Sequence, residues 1–382
     1  MESGHQEITM PATQADEYQE IAWGVQKFGD KFTPFYINRP NVGPKQVKFK
    51  TLYSGVCHTD LHKVKGHFGP GNVYPYVPGH EILGEVTEIG EGVTKFKVGD
   101  HVGVGCFVDS CMECEQCEED YENYCDKGVT ETYDHVKKFG RVLGNKDMRT
   151  WGGYSGSNVV HEHFCLTIPK DLPVENAAPI LCAGITMYDP LQNHGFTTGK
   201  SRTVGIVAIG GLGTMGIKIA KALGHTVVAI STTSAKEQLA KDKGATHFVA
   251  SKDPESIKAM ANSCHIILNT VAANHDINTY MPLLKKGGVI VQIGAAPAPH
   301  SISQIPLMFN RQSIAGSLVG GIKNTQEILD FCAKHQIWPD AQMIKFDQID
   351  WAFEQLETNN KDGIRFVIDV QASIAAGQVP TK

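Results

Sequence analysis

Val204-Gly205-Ile206-Val207-Ala208-Ile209-Gly210-Gly211-Leu212-Gly213 decides the fold class of this chain. Its opening is an apolar run without alternation, the pattern of a strand buried on both faces. A glycine turn follows, then the apolar periodicity of a helix over Met215–Leu223. A glycine loop between strand and helix lets backbone N–H groups approach a pyrophosphate, and the helix N-terminus favours the same charge. Ala208 stands where such a loop usually begins with glycine, and a methyl is tolerable there if φ is negative. Gly211-Leu212-Gly213-Thr214-Met215-Gly216 also fits G-x-G-x-x-G, but three residues too late relative to the strand, so the earlier register is preferred.

Working outward, further buried runs occur at Thr226–Ile230, His265–Leu268 and Val289–Ile293, with a helix over Ala235–Lys243. Strands alternating with helices predict a parallel, doubly wound sheet. Upstream, residues 20–165 read as an all-β region with strands such as Glu85–Ile89 and His101–Val104. Asp134–Arg149 is a polar loop, and a helix near Thr325–Lys334 and a strand at Arg365–Val370 close the chain. The second buried strand runs into Ser231-Thr232-Thr233-Ser234-Ala235-Lys236, with no acid before Glu237. An NAD site usually presents Asp or Glu there to the ribose hydroxyls. Hydroxyls and a lysine suit a 2′-phosphate instead, and the expected cofactor is NADP(H). Ser234 with Glu237 also reads as a capping box for the next helix, which leaves the missing acid unexplained.

Two metal patterns stand apart from this sheet. Cys111, Cys114, Cys117 and Cys125 are spaced C-x2-C-x2-C-x7-C in a stretch with six acidic residues and little apolar material. Four thiolates close a tetrahedral zinc site without an open position, so this metal is structural. Cys57, His80 with Glu81, and Cys182 form the second pattern. Two thiolates and one imidazole leave a fourth position for water or substrate, as catalytic zinc requires. Singly these residues are weak signals, since a lone cysteine is more often a small core residue.

The 382 residues suggest two or three domains, and 41% hydrophobic with 20% charged residues is ordinary for a soluble globular protein. A net charge of −6 excludes an electrostatic footprint for nucleic acid or anionic membrane. No apolar run approaches the ~20 residues that span a bilayer. Residues 1–20 are polar and acidic, a loosely ordered arm without the marks of a secretory signal. Ten cysteines without an export signal point to a reducing cytoplasm, where thiols bind metal or stay free.

The segment Gly79-His80-Glu81-Ile82-Leu83-Gly84-Glu85-Val86-Thr87-Glu88-Ile89-Gly90-Glu91-Gly92-Val93 resembles the signature of zinc-containing medium-chain alcohol dehydrogenases. Cys57-His58-Thr59-Asp60-Leu61-His62, Ala178–Thr186 and Arg365-Phe366-Val367-Ile368-Asp369 are similar to the cinnamyl alcohol dehydrogenase and NADPH-dependent aldehyde reductase branch. The likeness covers roughly residues 20–370. It implies an α/β architecture. A GroES-like catalytic domain (1–182) would precede a Rossmann domain (183–318), with 319–382 returning to the first.

It also implies two zinc ions per chain, one catalytic and one structural, and zinc-dependent interconversion of primary alcohols and aldehydes, mainly aldehyde reduction. Thr59 becomes the first relay hydroxyl, His62 the outer relay group, and Asp60 the acceptor of the second N–H of His80. A buried satisfied hydroxyl, a surface histidine and a plain turn aspartate are the plainer readings of these three. Glu81 would sit behind the metal. Thr186, Gly210, Gly211, Leu212, Gly213, Ser231, Thr232, Lys236, Thr270, Gly294 and Ser317 would meet the dinucleotide. A homodimer through the region Ala315–Gly320 is implied.

His161, His163, His247, His265 and His275 read as structural or surface residues, and Cys106, Cys165, Cys264 and Cys332 as free core thiols. The plant cinnamyl enzymes often carry an aromatic residue where Thr130 stands, which favours a broad aldehyde range. A zinc polyol dehydrogenase is the competing enzyme reading, though that group usually has the acid missing here. A non-catalytic dinucleotide-binding relative is the other reading, opposed by intact Thr59, His62 and metal ligands.

Overall fold

The computed structural model describes residues 16–66, 74–133, 149–358 and 362–380. Most of the expected N-terminal arm and of the loop Asp134–Arg149 lies outside them. Glu17–Gly24 is already a strand, paired antiparallel with Thr33–Pro40, so the arm is shorter than its polarity suggests.

Two large sheets organise the chain. The first has six parallel strands in the spatial order His247–Ala250, Thr226–Ser231, Thr203–Val207, Cys264–Asn269, Leu284–Gln292, Ser313–Gly316. This is the 3-2-1-4-5-6 order of the Rossmann fold, whose strand order reverses beside the central strand. Val204, Ile206, Val227, Val228, Ala229, Ile266, Ile267 and Leu268 are fully buried, which is why these strands lack alternation. The second sheet has seven strands. Gln46–Val56 lies at its centre, paired with Ile82–Ile89, Ser157–His161 and Arg365–Asp369. Arg365–Asp369 and Ala341–Ile344 come from the far end of the sequence, so the chain returns to the sheet where it began.

The region read as all-β contains a short helix, His58–Val64, between two strands. Its seven residues are too few for periodicity to reveal. The helix after the second parallel strand opens as a 3-10 turn at Ser234–Lys236, and Thr233 rather than Ser234 precedes it, with no side-chain cap. The capping box expected of Ser234 does not form.

The glycine loop differs from expectation at one residue. Ala208 has φ +69°, not a negative value. The turn needs the left-handed conformation, and Gly213 explains why the loop is tight: a Cβ there would lie 1.9 Å from the Ala208 carbonyl oxygen. A non-glycine residue in this conformation carries roughly 1–2 kcal/mol of strain. Ala208→Gly should relieve it, offset by the larger unfolded-state entropy of glycine, leaving stability unchanged or raised by up to about 1 kcal/mol. Ala208→Val should lower stability. Urea denaturation of both variants checks the pair, and a clear loss in Ala208→Gly would contradict the strain.

Candidate active site and metal centres

The open site assembles from three distant stretches. Cys57 follows strand Gln46–Val56 of the second sheet and caps the start of helix His58–Val64. His80 and Glu81 lead into strand Ile82–Ile89. Cys182 opens the helix Ala183–Asn193. One ligand atom from each of Cys57, His80, Glu81 and Cys182 lies within 4.8 Å of the other three, and all four residues are buried. The Cys57 and Cys182 sulfurs are 3.9 Å apart. Two thiolates about 2.3 Å from a zinc in tetrahedral geometry sit about 3.8 Å from each other, so the spacing fits a shared metal. It is far from the roughly 2.05 Å of a disulfide.

Asp60 holds this arrangement. Its Oδ2 accepts the Cys57 N–H at 2.9 Å. Its Oδ1 accepts from Gly79 N at 3.2 Å, His80 Nδ1 at 3.0 Å and the Tyr133 hydroxyl at 2.6 Å. A proton on Nδ1 leaves Nε2 of His80 to face the sulfurs. Burial opposes a charged imidazole, but Asp60, with Cys57 and Cys106 beside it, holds His80 well above the usual range. The Cys57 thiol is held well below its ordinary value, chiefly by its hydrogen bond with Cys182. Cys182 is pushed up by its contacts with Cys106 and Cys57.

Glu81 is fully buried and pairs through Oε1 with the Arg365 guanidinium. Its Oε2 has no partner among the described residues. Burial pushes the carboxyl up to about 8 even against Arg365. Gly55 makes room, since a Cβ there would fall 1.9 Å from Glu81 Oε2.

Thr59 and His62 occupy the helix that Cys57 opens, both half-buried. Tyr133 and Arg365 also belong to the site, and no local sequence pattern points to either. Arg365 lies 284 positions from its partner Glu81, and no local pattern links them. Cys106 was expected in the core. It is partly exposed and its thiol lies against Cys182.

The four-thiol lobe is a separate, closed cluster. The ligand sulfurs of Cys111, Cys114, Cys117 and Cys125 all lie within 4.8 Å of one another. Cys111 and Cys117 are 3.9 Å apart and Cys114 and Cys125 4.0 Å, again near the tetrahedral edge. All ten cysteines are free thiols.

The candidate dinucleotide residues fall at the carboxyl ends of the parallel strands. Ser231 ends Thr226–Ser231, Thr270 follows Cys264–Asn269, Gly294 follows Leu284–Gln292, and Ser317 follows Ser313–Gly316. Ligands of open α/β sheets bind along that edge. Gly210 precedes the helix Gly211–Ala222 and its missing Cβ would point into open space. The Thr186 hydroxyl is buried without a partner among the described residues. An open cradle and an orphaned hydroxyl are what a dinucleotide would fill. Gly294 packs tightly on Val271, where a Cβ would lie 2.4 Å from the backbone, and Thr270 Oγ1 is already donated to Val207 O at 2.7 Å. The loop and the open site touch through Arg365, whose Cδ would lie 2.7 Å from a Cβ on Gly211.

Residues 43–170 match the alcohol dehydrogenase GroES-like domain and residues 211–334 the zinc-binding dehydrogenase model. A probable cinnamyl alcohol dehydrogenase 6 of Arabidopsis thaliana is 43% identical over 94% of this chain and 96% of its own length. NADP-dependent alcohol dehydrogenase C 1 of Mycolicibacterium smegmatis is 43% identical over 91% of this chain and 97% of its own. The solved structure of CAD from Helicobacter pylori complexed with NADP(H) is 37% identical, covers 94% of this chain and 99% of that one, and superposes with a TM-score of 0.84.

The chain belongs to the zinc-containing medium-chain alcohol dehydrogenase family. It is an oxidoreductase that interconverts alcohols and aldehydes, built from a GroES-like domain and a Rossmann domain.

Two variants separate the two thiol clusters of this alcohol dehydrogenase. Cys114→Ser should lose the lobe zinc and lower the thermal midpoint, since structural zinc contributes folding free energy. Metal analysis should show any ion at the open site retained, and unchanged zinc content and midpoint would contradict the lobe assignment. Tyr133→Phe removes one donor from Asp60. Partners of a ligating histidine are typically worth about 10–100-fold in metal affinity. A chelator should therefore strip the open-site zinc of Tyr133→Phe about 10–100-fold more readily, while the lobe zinc leaves at the wild-type rate.

Proposed function

We propose that this alcohol dehydrogenase works mainly as an NADPH-dependent reductase of a broad range of aldehydes, with one catalytic and one structural zinc per chain. The observation that carries this reading is the convergence of Cys57, His80 and Cys182 beside a glycine loop that lacks an acid after the second strand. NADP-dependent relatives and a neighbour complexed with NADP(H) support it.

Cys57, His80 and Cys182 would hold the catalytic ion, which would supply Lewis acidity to polarise a carbonyl or ease deprotonation of an alcohol. NADPH would supply the hydride. This chain's residues do the rest. Asp60 keeps His80 in the tautomer that frees Nε2. Arg365 pairs with Glu81 and holds its carboxyl beside Cys57, His80 and Cys182, where Glu81 would be a further ligand of the ion. Thr59 and His62, on one short helix, would hold and move the proton that the substrate oxygen exchanges with solvent. Thr186 would meet the dinucleotide with its unpaired hydroxyl.

No side-chain hydrogen bond occupies Ser231, Thr232 or Thr233 among the described residues, which leaves these hydroxyls for a 2′-phosphate. Lys236 reaches from the same turn to the glycine loop, donating to Ile209 O at 2.9 Å. That bond brings a cation to the edge of the phosphate cradle. The absence of a carboxylate there disfavours the polyol dehydrogenase reading. Thr130 is fully buried in strand Thr130–Glu131, so the aromatic residue common in the plant cinnamyl enzymes has no counterpart at this position. No helix of the described residues is long and apolar enough to cross a membrane, and a cytoplasmic setting suits ten unpaired thiols.

A homodimer fits the free edge of the parallel sheet. Strand Ser313–Gly316 lies at that edge, and the helix before it, Gln304–Asn310, buries none of its residues. Ile305, Met308 and Phe309 are 62%, 71% and 77% exposed, an apolar surface that a second copy would cover.

Steady-state kinetics with one aldehyde and both cofactors test the proposal. Charge-assisted hydrogen bonds are worth about 1.5–3 kcal/mol each. Two or three, reduced by solvent exposure, predict kcat/KM at least about 100-fold higher with NADPH than with NADH. Ser231→Asp should reverse much of that ratio, and Lys236→Ala should weaken NADPH while leaving NADH nearly unchanged. Equal kcat/KM for the two cofactors in the wild type would overturn the NADP(H) assignment.

A further inference from the structure

The four-thiol lobe does more in this fold than close on a metal. Its last turn, Asp120–Tyr124, lies against Leu318–Lys323, where the chain leaves the edge strand Ser313–Gly316 for the helix Ile322–His335. Asn123 Nδ2 donates to Leu318 O at 2.8 Å, and Leu318 N donates to the Tyr124 hydroxyl at 2.9 Å. Ile322 N donates to Glu122 Oε2 at 3.0 Å, placing a carboxylate at the start of the helix. Glu122 is only 2% exposed, and its Oε1 takes His163 Nε2 at 2.7 Å. The approach is close enough that a Cβ on Gly321 would sit 1.8 Å from Asp120 O.

The opposite side of this crossing rests on the helix that Cys182 opens. Asn324 Nδ2 donates to Asp189 Oδ1 at 2.8 Å, and a Cβ on Gly320 would lie 2.7 Å from the same oxygen. Between the two supports, Val319 has φ +45°. A β-branched residue adopts that conformation only where its surroundings impose it. Without the lobe, the crossing loses the bonds at Leu318 and Ile322, and Val319 is free to relax to negative φ. The segment so released begins at Leu318, next to Ser317, whose N–H is donated to Gln292 O at 3.1 Å at the carboxyl edge of the parallel sheet where the dinucleotide would lie.

We propose that Glu122, Asn123 and Tyr124 are positioning residues for the cofactor: the metal-closed lobe holds Leu318–Lys323, and through it Ser317, in the conformation that binds the dinucleotide. This rests on the dinucleotide reading above. It gives the structural zinc a measurable effect on cofactor affinity, although its ligands and the open site form separate clusters.

The test is the double variant Asn123→Ala/Tyr124→Phe, which spares all eight candidate metal ligands. Three quantities are measured: zinc content, thermal midpoint, and the dissociation constants of NADPH and NADH by fluorescence titration. Zinc content should match the wild type. The Kd for NADPH should rise about tenfold, equivalent to about 1.4 kcal/mol of lost pre-organisation. KM for NADPH should rise with it, while kcat stays within about twofold. A dinucleotide Kd equal to the wild-type value, whatever the midpoint does, would overturn the proposal, because a purely structural role moves only the midpoint. Should the double variant fail to fold, Tyr124→Phe alone alters a partly exposed residue and should raise Kd about threefold; no change there is equally contrary. Wild-type binding separates the two readings. If it takes NADH and not NADPH, the cofactor choice is wrong, and the positioning role is then read from the NADH affinity of the variants.

Discussion

One buried carboxylate organises the open site. Asp60 accepts hydrogen bonds from the Cys57 and Gly79 backbone, from His80 Nδ1 and from the Tyr133 hydroxyl. Each donor fixes something the chemistry needs. The Cys57 bond starts the helix that carries Thr59 and His62. The Gly79 bond sets the approach of the strand that brings Glu81. The His80 bond chooses the tautomer. A carboxylate buried this deeply is costly unless its oxygens are satisfied, so its partners are constrained as strongly as the carboxylate itself. The same four bonds that keep Asp60 buried therefore shape the candidate metal site.

The two sheets are brought together by chain crossings, and the site lies where they meet. Cys182 ends the first passage and opens the helix Ala183–Asn193, which packs on the glycine-loop helix: a Cβ on Gly216 would lie 2.3 Å from Met187 Cε. Arg365, on a strand contributed by the end of the chain, pairs with Glu81 on one side and lies against Gly211 on the other. The candidate metal ligands and the candidate phosphate cradle are thus tied through one guanidinium. The second passage, Ser317–Lys323, runs between the lobe and Asp189. Burial pushes the Asp189 carboxyl up to about 6, opposed by the amides of Asn324 and Asn193.

Much of this was legible in the sequence, for stated physical reasons. Unbroken apolar runs such as Val204–Val207 and His265–Leu268 mark strands buried on both faces, and they are central strands of the parallel sheet. The regular spacing of Cys111, Cys114, Cys117 and Cys125 is local, so it could be read without a fold. The meeting of Cys57, His80, Glu81 and Cys182 was legible only through family likeness, because nothing local links residues 125 positions apart. Tyr133 carried no signal, and Arg365 stood only inside a stretch of family likeness, with nothing to mark it as a site residue. Their roles arise from strand pairing at long range, which no single stretch encodes. Ala208 misled in a different way: its methyl suggested negative φ, but the turn imposed by close approach of Gly213 overrides the residue's own preference.

The central claim is that this chain holds one metal in a closed set of four thiolates and another in an open set of two thiolates and an imidazole. X-ray absorption at the zinc edge on the purified protein tests it directly, together with total zinc per chain. The expected result is two zincs per chain, an average of about three sulfurs per zinc at about 2.3 Å, and a nitrogen contribution at about 2.0–2.1 Å. One zinc per chain with four sulfurs and no nitrogen shell would show an occupied lobe and an open site that does not hold metal, contradicting the mechanism built on Cys57, His80 and Cys182.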